Sequence, residues 1–268
     1  MVKAILAIHD KFRGDPNVSS VSSHLHDGVG LWTLNNPPVN AISLDVLEQL
    51  EALLDQAEAD LDVRALVITG HGSAFAAGAD VSGFMRMGGD LPRFMQKGAQ
   101  LFKRFVASRL PLVAAVNGIA YGGGLELAMA ADIRLASQTA RFGQPEVNLG
   151  IIPGWGGTVR LPKLVGWARA RRLFLTGWPI DAQEAHRIGL VDDVVETRLL
   201  VDSALNLADR LASLAPLALA ELKGLLAEGE AAGLERERQA IERLMVTQDA
   251  AEGVRAFLEK RRPRFSGR

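Results

Sequence analysis

Short apolar runs alternate with segments of helical spacing along most of the chain, and this alternation most constrains the fold. Each run has the length of one buried strand, and the intervening segments repeat apolar residues at helical spacing. Strands that alternate with helices favour right-handed crossovers and parallel pairing. The sequence therefore predicts an α/β fold. The predicted strands are residues 31–34, 65–68, 112–116 and 133–136, and the predicted helices are residues 44–57, 92–107, 123–131 and 159–165.

The pattern changes near residue 196, after which helical spacing dominates to the end of the chain. We therefore expect a loosely ordered lead-in over residues 1–28, an α/β core over residues 29–196 and an all-helical segment over residues 197–268. Small helical appendages usually bury their apolar faces against a partner. The helical segment therefore also predicts oligomerisation.

Composition argues against several classes of function. The 268 residues carry 31 acidic and 30 basic side chains, a balance that gives no reason to expect nucleic acid as a partner. The absence of cysteine excludes a disulfide framework, a thiolate nucleophile and a zinc finger. No apolar run is long enough to span a bilayer, and the run at residues 4–8 is too short for a signal peptide. We therefore expect a soluble, cytoplasmic protein without a membrane partner.

Two glutamates in glycine-rich surroundings are the strongest candidates for chemistry. Glu126 follows the glycine run 122–124 at the predicted start of a helix, and Glu146 ends the segment 143–146. Glycines let a ligand approach the backbone closely, and a helix start presents N–H groups that lack acceptors. A carboxylate beside such donors is suited to acid–base catalysis on a substrate that develops negative charge.

Each candidate also has a purely structural interpretation. The small-residue loop 71–80 is typical of a tight turn, and the glycines 122–124 are also what close packing of a helix on a strand requires. Glu146 by itself is most simply a solvated loop carboxylate. His24 and His26 are best explained by a polar edge strand, so we predict no metal site. The sequence lacks both G-x-G-x-x-G and G-x-S-x-G, which argues against a nucleotide phosphate loop and a serine hydrolase.

Several segments taken together resemble the crotonase superfamily, and within it the enoyl-CoA hydratases. The resemblance runs from about Leu31 to the C-terminus. It implies a crotonase-like spiral of repeated β-β-α turns, followed by a C-terminal helical domain through which the chain forms a homotrimer or a homohexamer. The segments that carry the resemblance are residues 74–80, 115–132, 142–157 and 256–261.

The resemblance implies roles for the two acids and for two backbone amides. The N–H groups of Ala79 and Gly123 form an oxyanion hole around the thioester oxygen of an acyl-CoA. Glu126 and Glu146 face each other across the α,β double bond with a water between them. One carboxylate activates the water for attack at Cβ, and the other supplies a proton to Cα, a role that the family usually gives to the counterpart of Glu146. Because the two acids share protons, their titration belongs to the pair.

The resemblance also implies contacts with coenzyme A, which is part of the substrate and not a separate cofactor. Phe257 and Lys260 match tail residues that contact the nucleotide end of coenzyme A, often from a neighbouring subunit. Residues 84–95 either border the acyl chain or belong to the ordinary core. The remaining implied substrate contacts are Ala77, Gly78, Asp80, Val81, Ser82 and Gly122.

Hydration of a 2-enoyl-CoA thioester is the function that the resemblance favours, because the chain keeps both acids. Residues 36–41 are similar to the hydratase part of multifunctional β-oxidation enzymes, which implies a place in fatty acid metabolism. The nearest alternative is a Δ3,Δ2-enoyl-CoA isomerase, which needs only one carboxylate. A hydrolase, lyase or dehalogenase on the same fold and a non-catalytic RNA-binding member with the basic tail 260–264 remain further alternatives. Acyl-chain length stays open, because the family varies beside Leu125 and Trp155.

Overall fold

The computed structural model describes residues 19–80, 90–227, 247–261 and 263–268. The strands are β1 (Val21–His26), β2 (Val29–Leu34), β3 (Ala65–Gly70), β4 (Ala74–Ala76), β5 (Leu112–Val116), β6 (Ile119–Tyr121), β7 (Ile133–Ser137), β8 (Arg141–Gly143), β9 (Ile180–Asp181) and β10 (Asp193–Val195). The α-helices are α1 (Leu44–Ala59), α2 (Leu91–Ala107), α3 (Gly123–Ala130), α4 (Gly157–Val165), α5 (Trp167–Thr176), α6 (Ala182–Arg187), α7 (Leu200–Ala212), α8 (Pro216–Leu226) and α9 (Gln248–Leu258). Short 3-10 turns occupy Glu146–Leu149 and Thr197–Leu199.

The strands form two sheets that the chain visits in turn. One sheet has six strands in the order β1-β2-β3-β5-β7-β10, and every neighbouring pair from β2 onward is parallel. The other sheet has four strands in the order β4-β6-β8-β9. The units β3-β4-α2 and β5-β6-α3 each place one strand in each sheet before their helix. This arrangement is the expected spiral of β-β-α turns, so the predicted α/β fold class is confirmed.

The helices of the core form where capping and apolar spacing favour them. Ser43 caps α1, because its Oγ accepts a hydrogen bond from a first-turn N–H at 3.2 Å. Leu47, Leu50 and Leu54 follow at helical spacing and are fully buried. The helices predicted from spacing alone match α1 and α2 to within two residues at each end.

The lead-in predicted over residues 1–28 is partly wrong, because the first strand begins earlier than expected. β1 pairs with β2 as an antiparallel hairpin at the edge of the six-stranded sheet. Asp27 and Gly28 form its turn with φ angles of 48° and 81°. An Asp-Gly pair adopts this left-handed conformation readily, so the dipeptide was a usable hairpin signal. The earlier part of the predicted lead-in, residues 1–18, lies outside the described residues.

The first α-helix of the segment predicted to be helical over residues 197–268 is α7, which covers one face of the six-stranded sheet. Leu200, Ala204 and Ala208 on α7 are buried in one apolar cluster with Val67 and other residues of one sheet face. Alternate residues of the same strands face the main core with α1 and α2. The sheet is therefore covered on both faces. Among the described residues, no helix is both long and apolar enough to cross a membrane.

A buried ion pair attaches α8 to the core. Lys223 Nζ lies 2.6 Å from Asp132 Oδ2 and also donates hydrogen bonds to Leu110 O at 2.7 Å and Phe105 O at 3.3 Å. The Lys223 side chain is 7% exposed. Burial lowers the pKa of Lys223, and the carboxylate of Asp132 opposes that shift. The ammonium therefore joins α8 to the end of α2 and to the segments that precede β5 and β7.

Lys223→Ala is expected to lower the free energy of unfolding by about 3 kcal/mol, because it removes the charged donor of the Asp132 carboxylate and of two carbonyl groups. Urea unfolding followed by circular dichroism measures this loss. Arg187→Ala is the matched control, because it removes an exposed ion pair with Glu184 and is expected to change stability little. Equal losses in the two variants would contradict the anchoring role of Lys223.

Candidate active site

One cavity lies where the loop after β4, the start of α3 and the segment after β8 meet. Its volume is about 130 Å³. Both candidate acids, Glu126 and Glu146, line this cavity together with apolar side chains that include Met95 and Trp155. The fold thus brings together segments that lie far apart in the sequence. The predicted site residues that line the cavity are Ala77, Gly78, Ala79, Gly122, Gly123, Glu126 and Glu146.

Two backbone N–H groups from a distant segment hold the carboxylate of Glu126. Its Oε1 accepts hydrogen bonds from the N–H groups of Trp155 and Gly157, each at 2.7 Å. The Glu126 residue is 2% exposed, so these bonds are shielded from water. Arg160 Nη1 donates to Trp155 O at 2.7 Å and thereby holds the turn that carries both donors. Sequence patterns did not predict these contacts, because Glu126 and its two donors lie on segments far apart in the chain.

Each glycine in the run before Glu126 is required for a different reason. Gly122 has a φ of 50°, and a Cβ added there would lie 2.9 Å from Glu146 Oε1. A Cβ on Gly123 would overlap the indole ring of Trp155, and one on Gly124 would overlap a backbone carbonyl of β4. Gly124 thus packs a helix on a strand, as the structural interpretation predicts, whereas Gly122 makes room for a candidate acid.

Glu146 is buried, so the interpretation of this residue as a solvated loop carboxylate is wrong. It begins the 3-10 turn after β8 and is only 9% exposed. Gln144, which is 1% exposed, lies beside it. With its amide nitrogen turned toward the carboxylate, Gln144 donates to both oxygens of Glu146, at 2.9 and 3.1 Å. A buried donor therefore orients the second acid, and no sequence pattern predicted this role for Gln144.

Burial changes the acidity of both candidate acids. Burial raises the pKa of Glu146 to about 7, a hydrogen bond from its own backbone N–H opposes this, and the nearby charge of Glu126 raises it further. Burial also raises the pKa of Glu126, while the N–H groups of Gly157 and Trp155 and the charge of Arg160 counteract that rise. The hydrogen-bonded Glu126 is thus the better-stabilised carboxylate. The pair can hold one proton near neutral pH.

The two predicted oxyanion-hole amides are neighbours. Ile42 N–H donates to Gly78 O at 2.8 Å, and Asp80 N–H donates to Ile42 O at 2.9 Å. Since strand residues alternate, the N–H of Ala79 between them points away from Ile42. Gly123 begins α3, where the first N–H groups have no acceptor within the helix. A Cβ added to Gly123 would lie 3.3 Å from Ala79 N, so these two N–H groups lie close together.

Other predicted contacts are placed elsewhere or are not described. Asp80 comes directly after the cavity-lining residues 77–79, and its backbone N–H donates a hydrogen bond to Ile42 O. Val81 and Ser82 lie outside the described residues, as does the side chain of Phe257. Lys260 is exposed beyond the end of α9 and is not among the described residues that line the cavity.

The segment predicted to border the acyl chain or to join the core is described only in part, and two of its described residues differ in their surroundings. Met95 lines the cavity, whereas Phe94 is fully buried against Trp155. Residues 84–89 lie outside the described part.

His24 and His26, at which the sequence predicts no metal site, lie on the edge strand β1. Within the described ranges, no group of three or more His, Asp or Glu side chains could hold a metal ion.

Glu146→Gln is expected to stabilise the fold by about 1–2 kcal/mol at about pH 8, because it removes the cost of burying an ionised carboxylate. Below the ordinary pKa of 4.5 the carboxyl is neutral in both states, and this cost is absent. The cost develops as pH rises from 4.5 to about 7, the folded-state pKa. Urea unfolding at about pH 4 and pH 8 measures the difference.

Glu184→Gln is the control for that experiment. Its hydrogen bond with Arg187 lowers the pKa of Glu184, so its replacement is not expected to stabilise the protein at either pH. A Glu146→Gln variant that is no more stable than the parent at about pH 8 would contradict the burial argument.

Comparison with known proteins supplies the family. A family model described as enoyl-CoA hydratase/isomerase matches residues 24–268. A probable enoyl-CoA hydratase of Bacillus subtilis is 41% identical over 257 residues, which cover 93% of this chain and 100% of that protein. The 2,3-dehydroadipyl-CoA hydratase of Escherichia coli is 43% identical over 244 residues, which cover 89% of this chain and 95% of that protein.

A solved structure agrees with the sequence comparisons. The crystal structure of enoyl-CoA hydratase from Bacillus anthracis matches with a TM-score of 0.89 and 37% identity, covering 93% of this chain and 100% of that one. The sequence comparisons and the shared fold lead to one assignment. The chain belongs to the enoyl-CoA hydratase/isomerase family.

Proposed function

We propose that the protein adds water across the 2,3 double bond of an enoyl-CoA thioester, with Glu126 and Glu146 as its acid–base pair. One observation carries this proposal: two buried carboxylates line a single cavity beside the neighbouring amides of Ala79 and Gly123. Relatives named as enoyl-CoA hydratases support the reaction class. Addition of water is redox-neutral and needs no further group, so coenzyme A enters only as part of the substrate.

The amides act on the charge that the reaction creates. As the water oxygen bonds to Cβ, the electron pair of the double bond moves toward the thioester carbonyl, and negative charge develops on its oxygen. The N–H groups of Ala79 and Gly123 donate to that oxygen, and the latter lies at a helix N-terminus. Loss of one such donor typically raises the barrier by roughly 3–4 kcal/mol.

The environments of the two acids support distinct roles. Glu126 Oε1 already accepts hydrogen bonds from two N–H groups, and these bonds favour the ionised form of the carboxyl. Its other oxygen, Oε2, can therefore take a proton from the attacking water. Glu146, with its pKa raised to about 7, can carry a proton at neutral pH and give it to Cα as the enolate collapses. Water thus adds as hydroxyl at Cβ and hydrogen at Cα. The proton that Glu126 took from water then passes to Glu146, which restores the starting state of both acids.

Assembly into trimers or hexamers is part of the same proposal. Exposed apolar side chains on and after α5, namely Trp167, Leu175 and Trp178, support an interface between copies of the chain. Contacts of Phe257 and Lys260 with the nucleotide end of coenzyme A, like the cytoplasmic location and the role in β-oxidation, remain predictions.

The alternatives fit the described residues less well. Isomerisation only moves a proton within the substrate, so it gives no reason to bury two acids beside one cavity. RNA binding rests on the basic tail, but Arg261 pairs with Glu252 and Glu259. These pairs reduce the positive charge that a nucleic acid could use.

Replacing either acid by glutamine is expected to lower kcat/KM for crotonyl-CoA hydration by about 10²–10⁴-fold, because each variant loses one proton transfer. The double variant Glu126→Gln/Glu146→Gln is expected to be little worse than the poorer single variant, since the pair acts as a unit. A spectrophotometric hydration assay measures all three. Glu184→Gln, an exposed control, is expected to keep parental activity. Full activity in Glu126→Gln would refute the proposed pair.

The hydration rate is also expected to depend on pH through Glu146. Because the proton donor must be protonated and its pKa is about 7, kcat/KM for crotonyl-CoA should fall as pH rises through about 7. Initial rates across the neutral pH range measure this fall in kcat/KM. The fall should be absent from the residual activity of Glu146→Gln. A parental profile that stays flat from about pH 6 to pH 9 would argue against this proton donor.

A further inference from the structure

Trp155 occupies the place toward which an acyl chain would extend. If the thioester oxygen lies at the amides of Ala79 and Gly123, the reacting carbons lie near Glu126. Trp155 touches both of these positions: its backbone N–H bonds to Glu126, and its ring lies against Gly123. The part of the substrate beyond Cβ therefore meets this indole.

The indole cannot move aside without disturbing the core. It is 2% exposed and makes edge contacts with Phe94 and Phe102, with ring centroids 5.2 and 5.3 Å apart. A Cβ added to Gly98 of α2 would overlap the ring, as would one on Gly123 of α3. The side chain thus fills the gap between α2 and α3, and two glycines provide its space.

Hydrogen bonding does not account for a tryptophan at this position. Within the described part of the chain, the buried Nε1 of Trp155 has no hydrogen-bond partner. A buried donor without an acceptor destabilises a fold. The contribution of Trp155 is therefore its volume, and its position beside the cavity makes that volume relevant to the substrate.

We propose that Trp155 limits the acyl group to short, uncharged chains by closing the route between α2 and α3. The cavity of about 130 Å³ is close to the ~150 Å³ of an apolar cavity that holds one benzene molecule, so it accommodates only a short acyl group. Its described wall beyond the two acids is apolar and includes Met95, Pro145 and Ile151. This inference rests on the proposed hydratase function and names the substrate class of the same site.

The test compares kcat/KM for C4, C8 and C12 2-enoyl-CoA substrates in the parent, Trp155→Ala and Trp155→Phe. The parent is expected to prefer C4 over C12 by about tenfold or more, and Trp155→Ala to raise the C12/C4 ratio by about tenfold or more. Phe105→Leu is the control, because Phe105 is buried in the same core and does not line the cavity. Its C12/C4 ratio should match that of the parent.

A gain in C12 turnover cannot arise from loss of stability, so it supports the inference directly. A parent that hydrates C12 as efficiently as C4 would overturn it, as would a folded Trp155→Ala with an unchanged ratio. If Trp155→Ala does not fold, Trp155→Phe decides, with a raised C8/C4 ratio expected. If the parent hydrates no chain length, the proposed function fails, and calorimetric binding of butyryl-CoA against dodecanoyl-CoA still tests the size limit.

Discussion

The hydrogen bonds from Trp155 and Gly157 to the carboxylate of Glu126 are the interaction on which the site depends. They join the first turn of α3 to the segment that leads into α4, two elements that the sequence separates. This link orients Glu126, and it sets the position of the Trp155 indole against Gly123. Arg160 secures the same turn through the Trp155 carbonyl. One carboxylate thus organises the acid, the amide neighbourhood and the wall of the cavity.

The same arrangement costs stability. Glu126 and Glu146 are both buried, and burial raises the pKa of each. A fold selected only for stability would place apolar side chains there, because ionised groups lose hydration on burial. The protein compensates with donors: backbone N–H groups for Glu126 and the Gln144 amide for Glu146. Strained or costly groups that the surroundings support in this way are typical of functional sites.

Sequence patterns predicted the architecture well because they act locally. Apolar runs and helical spacing located the core strands and helices, and they placed the start of α1 at its first residue. The polar edge strand expected at His24 and His26 is β1, but its hairpin with β2 was missed, although Asp27-Gly28 is a turn signal. The two acids were found only because glycines surround them. The burial of Glu146 could not be read from its own segment, which looks like an ordinary polar loop.

The supporting residues could not be predicted, because their roles arise from tertiary contacts. Arg160, Gln144 and the donors at Trp155 and Gly157 match no spacing rule, since their partners lie on other elements. The sequence indicated only that the family varies beside Trp155. Its effect on the cavity depends on how α2 and α3 pack, and that packing depends on Gly98 as much as on Trp155 itself.

Titration of the two carboxyl groups by NMR of glutamate labelled with ¹³C tests the central claim most directly. We expect the Glu146 carboxyl to titrate at about 7 in the parent. In Glu126→Gln, the pKa of Glu146 should fall, because a nearby negative charge is gone. A Glu146 that titrates at its ordinary value of 4.5, and does not respond to Glu126→Gln, would contradict the claim that these acids share one buried site.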